Sequence, residues 1–218
     1  MASVKGQRQY SSPLRARQAE TTRRAVLGAA SELFITQGYG ATTIEQIAAH
    51  AGVSKPTVFT AVGNKQTLLR TVRDVAIAGD DDPAPVAKRP LIDRVRAESD
   101  QRQAVRLVAQ HLTDVASRYA VINEVIHTAA NSGEQDLRQL WQTEEDQRLA
   151  GARVWVELLT DKGSLRHGLD VSRAVDTLWL LMSPDNYYRL VHRRGWTKTK
   201  YQEWLTASIQ LLLLAVES

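Results

Sequence analysis

Side chains able to build an active site are sparse in this 218-residue chain. There is no cysteine, hence no thiolate nucleophile and no disulfide framework. The histidines, His50, His111, His127, His167 and His192, form no His-x-x-x-His pair. His111, Glu124 and His127 can converge only across two helices, so no metal and no cofactor are expected. "GYGATT" lacks the lysine of a phosphate loop, and no Gly-x-Ser-x-Gly elbow is present. What stands out instead is a polar stretch, Ser54-Lys55-Pro56-Thr57, opening an otherwise apolar segment. Lys55 can donate to guanine O6 and N7, and the hydroxyl or methyl of Thr57 can reach a base or a phosphate. Recognition of nucleic acid is therefore favoured over catalysis. The alternatives are an enzyme and a helical small-molecule-binding protein without a DNA role.

The element that must present this stretch is a helix. Proline is harmless only in a first turn, where the N–H groups have no intrahelical partner, so Pro56 marks a start. Ser54 is placed as its N-cap, and the helix is predicted from Lys55 to Ala61. Upstream, Thr43 and Gln46 form a capping box ahead of Ile44, Ile47, Ala48 and Ala51 at helical spacing, which predicts a second short helix. Gly52 lies between the two, free to take the positive φ of a sharp turn. Helix, tight turn and helix place the second helix in a DNA major groove, its N-terminal residues at the base edges. Thr43 and Lys65 stand at two more helix N-termini, where backbone N–H groups favour a phosphate.

Charge supports this placement. Residues 1–79 carry ten Lys and Arg against four Asp and Glu, while the remainder carries 18 against 20. A basic N-terminal third on a near-neutral body suits a polyanion partner. No apolar run approaches the roughly 18 residues of a membrane span, and "MASVKGQRQY" has no signal-peptide core, so a cytoplasmic protein without a membrane partner is expected.

The predicted layout is all-α. Residues 1–17 read as a flexible basic arm, and 18–79 as a DNA-binding domain whose first helix runs from Gln18 to Gln37 and closes at Gly38. Asn64 caps the connecting helix, with Leu68, Leu69, Val72 and Val75 facing inward. "GDDDPAPVAKRP" breaks the pattern, giving a linker over 80–90. Residues 91–218 then form a helical effector-binding and dimerisation domain. One stripe runs from Val105 to Tyr119 and continues to Ala129 after a bend. A helix over 134–160 carries Leu137, Leu140, Trp141, Leu149 and Trp155 inward, and its Glu144 and Arg148 read as an exposed i,i+4 pair. A helix resumes at Val171, is interrupted by Pro184 and ends near Arg194; the last runs from Thr199 to Val216. The last two helices hold more apolar residues than one buried face requires. A homodimer interface of Leu178, Leu181, Trp204, Leu211 and Leu214 is expected, formed with a second copy of the chain.

The order and spacing in "AASELFITQGYGATTIEQIAAHAGVSKPTVFTAVGNKQTLL" resemble the DNA-binding domain of the TetR family of transcriptional repressors. "LWLLMSPDNYYRLVHRRGWTKTKYQEWL" is similar to the C-terminal half of an actinobacterial-type subgroup of that family. The resemblance implies a three-helix helix-turn-helix domain that binds palindromic double-stranded operator DNA as a dimer and is released by a small organic ligand. It places Thr43, Glu45, Gln46, Ser54, Lys55, Pro56, Thr57, Phe59, Thr60 and Lys65 at the DNA. Phe59 replaces a common tyrosine and loses its hydroxyl, Val62 replaces a common phenylalanine, Ala61 brings no polar reach, and Glu45 can accept from cytosine N4 or lie exposed. For the ligand, small residues interleaved with aromatics suggest an apolar cavity lined by Tyr119, Trp141, Trp155 and Trp179, with His111, Asn123 and His127 as polar contacts.

Overall fold

The computed structural model describes residues 13–79 and 90–215. The expected arm up to residue 12, residues 80–89 of the expected linker, and Val216 at the expected end of the last helix lie outside the described residues. The fold is all-α. Among the described residues the β-structure amounts to an isolated bridge between Leu165 and Leu214. The chain divides into two compact units, Met1–Val72 and Arg73–Ser218, with the division falling inside the fourth helix.

In the first unit, α1 spans Pro13–Ala41. Its start corrects the expected arm, because residues 13–17 are already helical. The helix is broken near its end at Gly38, whose φ of 83° and ψ of 165° leave the helical region. Helix α2 spans Ile44–His50, α3 spans Lys55–Ala61, and α4 begins at Lys65 and runs to Ala78. Gly52, at φ +68°, makes the turn between α2 and α3. Val26, Ala30, Phe34, Ile47, Val58, Leu68 and Leu69 are fully buried, so each short helix is held by its apolar face on the others.

The second unit is built round α6, Gln101–Asn131, which packs against the helices that follow it. The bend expected after Tyr119 is replaced by one uninterrupted helix of 31 residues. Tyr119, Ala120, Ile122, Asn123 and Ile126 continue its buried face without a glycine or proline to break it. A short helix before it, α5, spans Pro90–Ala97. Helix α7 spans Gln135–Thr160 and α8 spans Val171–Leu181. Helix α9, Pro184–Tyr187, leads into a π-helical segment, Tyr188–Arg193, and α10 spans Lys198–Leu213.

Candidate nucleic-acid interface and ligand cavity

The first unit presents α3 by its caps. Ser54 Oγ accepts from the Thr57 N–H at 3.3 Å, and Pro56 occupies the first turn, where no N–H is needed. Thr43 and Gln46 close a reciprocal capping box on α2: Gln46 N donates to Thr43 Oγ1 at 3.2 Å, and Thr43 N donates to Gln46 Oε1 at 2.8 Å. Gln46 Oε1 also accepts from Gln37 at 3.3 Å, so this side chain is engaged within the unit. Asn64 Oδ1 receives the Thr67 N–H at 2.8 Å and caps α4.

Lys55, Pro56, Phe59 and Thr60 are exposed along one side of α3, while Val58 on the other side is buried. The hydroxyls are committed locally. Thr60 Oγ1 donates to the Pro56 carbonyl at 3.0 Å, and Thr57 Oγ1 lies 2.8 Å from Ser54 Oγ. Lys55 Nζ donates to Glu45 Oε1 on α2, and this bond holds the exposed Glu45 carboxyl below its ordinary value. Lys65 is also engaged: Nζ lies 3.4 Å from the Gly40 carbonyl and 4.2 Å above the Tyr39 ring. Arg23 Nη1 donates to the Ala61 carbonyl at 3.2 Å, capping the C-terminal end of α3. The result is an exposed, polar, cation-bearing helix start held by its own unit.

The second unit contains a cavity of about 200 Å³. Its apolar wall is formed by Ile77, Leu112, Val115, Ala116, Met182 and Pro184. Its polar wall holds Arg73, Tyr119, Asn123, Glu144, Glu145 and Arg148, with Gln147 beside them. Tyr119 and Asn123 are the sequence-predicted ligand contacts that line it. The other five are placed elsewhere. His111 packs on Trp155, with ring centroids 5.8 Å apart, and His127 on Trp141 at 5.7 Å. Trp155 belongs to the hydrophobic core, because the stripe that carries it is taken up by helix packing. Trp179 stacks under the Arg148 guanidinium, 5.0 Å from ring centroid to Cζ, and keeps Arg148 facing the cavity without lining it.

Glu144 is the main feature missed in the sequence. It does not form the expected exposed pair with Arg148; it is buried, at 8% exposure, and accepts a hydrogen bond from the Tyr119 hydroxyl. Arg148 pairs with Glu145 instead and donates to the Trp179 carbonyl at 3.3 Å. Arg73 Nε lies 3.0 Å from Glu144 Oε1, and the same guanidinium reaches Asp74 at 3.1 Å and Gln147 at 2.9 Å. Burial pushes the Glu144 carboxyl above its usual range, against the Tyr119 hydrogen bond and the Arg73 charge, which pull it down; Asp74 and Glu145 add to the rise. Burial, then the Glu144 charge, holds the Tyr119 hydroxyl far above its ordinary pKa, so it remains a donor. The available signal was positional. Residues 144 and 148 continue the inward stripe set by Leu137 and Leu140, where apolar residues are the rule, while Leu149, expected inward, is 37% exposed.

The expected dimer residues also divide. Leu178 and Leu214 are buried in the chain's own core and are not available to a partner. Leu181 and Trp204 are half-buried, and Leu211 is 71% exposed. Leu180, not among the expected interface residues, is 61% exposed.

A capped helix-turn-helix with an exposed cationic second helix, carried on a chain with a separate cavity-bearing helical unit, defines a DNA-binding regulator. Residues 26–72 match the model of the bacterial regulatory proteins of the tetR family. The uncharacterized HTH-type transcriptional regulator YdeS of Bacillus subtilis (strain 168) is 28% identical over 165 residues, covering 73% of this chain and 75% of that protein. Among solved structures, NalD, the secondary repressor of the MexAB-OprM multidrug efflux pump in Pseudomonas aeruginosa, is similar with a TM-score of 0.64 at 21% identity, over 91% of this chain and 98% of that one. The fatty acid degradation regulator FadR from Bacillus halodurans is similar with a TM-score of 0.62 at 14% identity, over 86% and 94%. These structural likenesses give the fold. Residues 26–72 thus resemble the DNA-binding domain of the tetR family, and over most of its length the chain is similar to an HTH-type transcriptional regulator.

Proposed function

We propose that the protein is a ligand-responsive repressor of the cytoplasm that binds a palindromic operator as a homodimer and leaves it when a small organic molecule fills the cavity of the second unit. The observation that carries this reading is the exposed N-terminal turn of α3, with Lys55 at its head and caps that fix it on α2. On DNA, Lys55 and Thr57 face base edges, while Thr43, Ser54, Pro56, Phe59, Thr60 and Lys65 lie along the backbone and groove wall. Glu45 accepts either from Lys55 or from a cytosine amino group. Gln46 acts through the cap of α2. The dimer is formed by the exposed apolar positions of α8 and α10, with Leu180 and Leu211 at its centre and Leu181 and Trp204 beside them.

Release follows if the ligand favours a dimer whose recognition helices no longer match the half-sites. The lever is α4, which carries Leu69 in the core of the first unit and Arg73 in the cavity wall of the second. Selection of bound duplexes from a random pool tests the DNA part. The expected product is an inverted repeat with half-sites about one helical turn, roughly 34 Å, apart or a multiple of it. A pool that returns no shared sequence refutes the operator reading, and a single unrepeated half-site refutes the dimer.

A further inference from the structure

The cavity wall holds an acceptor that the chain leaves unsatisfied. Tyr119 donates to Glu144 Oε2, but Glu144 Oε1 accepts no hydrogen bond. Arg73 Nε stands 3.0 Å from it without forming one, and Nε likewise lacks an acceptor. Two buried, oppositely charged atoms thus sit side by side in an ion-pair contact that satisfies neither, and a buried polar group in that condition is poised for a better partner.

The surrounding charge decides the partner's sign. Helix α4 brings Arg73 and Asp74, α7 brings Glu144, Glu145 and Arg148, and α9 brings Asp185, whose Oδ1 accepts from Asn123 at 2.8 Å. Glu144, Glu145 and both guanidinium groups line the cavity, while Asp74 and Asp185 lie outside its lining, held by Arg73 and Asn123. Arg148 is spent on Glu145 and on the Trp179 carbonyl, and Arg73 is divided among Asp74, Glu144 and Gln147. An anion entering here meets the carboxylates of Glu144 and Glu145, and of these Glu144 has an oxygen without a donor. A cation gains from them in a site of low effective dielectric.

Resting on the reading of the cavity as the effector site, we infer that its ligand is a small organic cation: a primary or secondary ammonium group on an apolar body. The ammonium N–H donates to Glu144 Oε1 and takes the place of Arg73 as its counter-ion. The body lies on Leu112, Val115, Ala116 and Met182. At about 200 Å³ the cavity is somewhat larger than the roughly 150 Å³ that holds a benzene. One ring with a short chain fits. A quaternary ammonium has no N–H to offer and is a poor ligand. Binding also acts where regulation needs it, since it frees the guanidinium of Arg73 on α4 from Glu144.

The test is calorimetric titration of the full chain with three probes of similar shape: 2-phenylethylammonium, 2-phenylethanol and 3-phenylpropanoate. The ammonium is expected to bind about tenfold more tightly than the alcohol, with the propanoate weakest. Glu144→Gln should weaken the ammonium about tenfold and leave the alcohol unchanged, whereas Arg73→Gln, which removes the competing cation, should tighten the ammonium. Opposite signs from the two variants are not expected if the pair is merely structural. The inference is overturned if the alcohol or the propanoate matches the ammonium, if the ammonium gives no heat at millimolar concentration, or if Arg73→Gln leaves it unchanged or weakened. The selectivity of the wild-type chain decides even where a variant does not fold. Gel retardation separates this inference from the reading it rests on. Ammonium binding without release of DNA refutes the effector role alone, and release by other compounds with no ammonium binding refutes the cation assignment alone.

Discussion

Replacing Tyr119 with phenylalanine removes one oxygen and leaves the ring. Tyr119 is 7% exposed and packs on the core by its ring, so the change isolates the hydrogen bond to Glu144. Glu144 Oε1 already lacks a donor, so the variant leaves a buried carboxylate with no hydrogen bond to either oxygen. A hydrogen bond to a charged group contributes about 1.5–3 kcal/mol, and that is the expected loss near neutral pH. With a urea m-value of about 2 kcal/mol/M, the midpoint falls by about 1 M. All five tryptophans lie beyond residue 140, so their fluorescence follows the second unit.

The loss must depend on pH. The folded-state pKa of Glu144 is raised, so its ionisation costs stability as pH rises from the ordinary value of 4.5 through the raised one. Without the Tyr119 bond, which lowers that pKa, the rise is larger, and the extra loss accumulates over the interval from the wild-type's raised value up to the variant's still higher one. Below it, both forms of the protein hold a protonated Glu144, and only a neutral hydrogen bond of about 1 kcal/mol separates them. The same residual loss is expected when Tyr119→Phe is made beside Glu144→Gln. A loss equal at about pH 5 and about pH 8, or unchanged beside Glu144→Gln, refutes the account of this network.

Four further predictions concern the DNA and the dimer. Lys55→Ala should cost about 1–3 kcal/mol on the selected operator and relax preference at one base position, while Glu45→Gln, which releases Lys55, should strengthen binding to unrelated duplex; both are read by fluorescence anisotropy. Lys65→Ala should weaken binding to all sequences and flatten the slope of log affinity against log salt by about one, measured between low and moderate salt. Leu180→Glu with Leu211→Glu places charge at exposed positions, so the chain should keep its circular dichroism and sediment as a monomer; a folded variant that stays dimeric moves the interface elsewhere.

The first unit was legible because its signals are local. Pro56, Ser54, Thr43, Gln46 and Gly52 act over three or four residues, and each does in the fold what its spacing implied. The cavity was not, because it is made by residues far apart in sequence: Arg73, Tyr119 and Glu144 meet only when α4, α6 and α7 pack. Aromatic content pointed to Trp155, yet a large side chain is more readily used to fill a core than to line a space. Leu178 and Leu214 mislead for a related reason. A surplus of apolar positions on a helix shows that a second neighbour exists, but not whether that neighbour is another part of the same chain.

The central claim is that α3 reads a base sequence. Its most direct test is a pair of anisotropy titrations at one physiological salt concentration, of the selected inverted repeat and of a scrambled duplex of the same length and composition. The account predicts affinity for the repeat at least about a thousandfold tighter, as specific binding requires, with the excess reduced by Lys55→Ala. Equal affinities for the two duplexes, falling together as salt is raised, would contradict it.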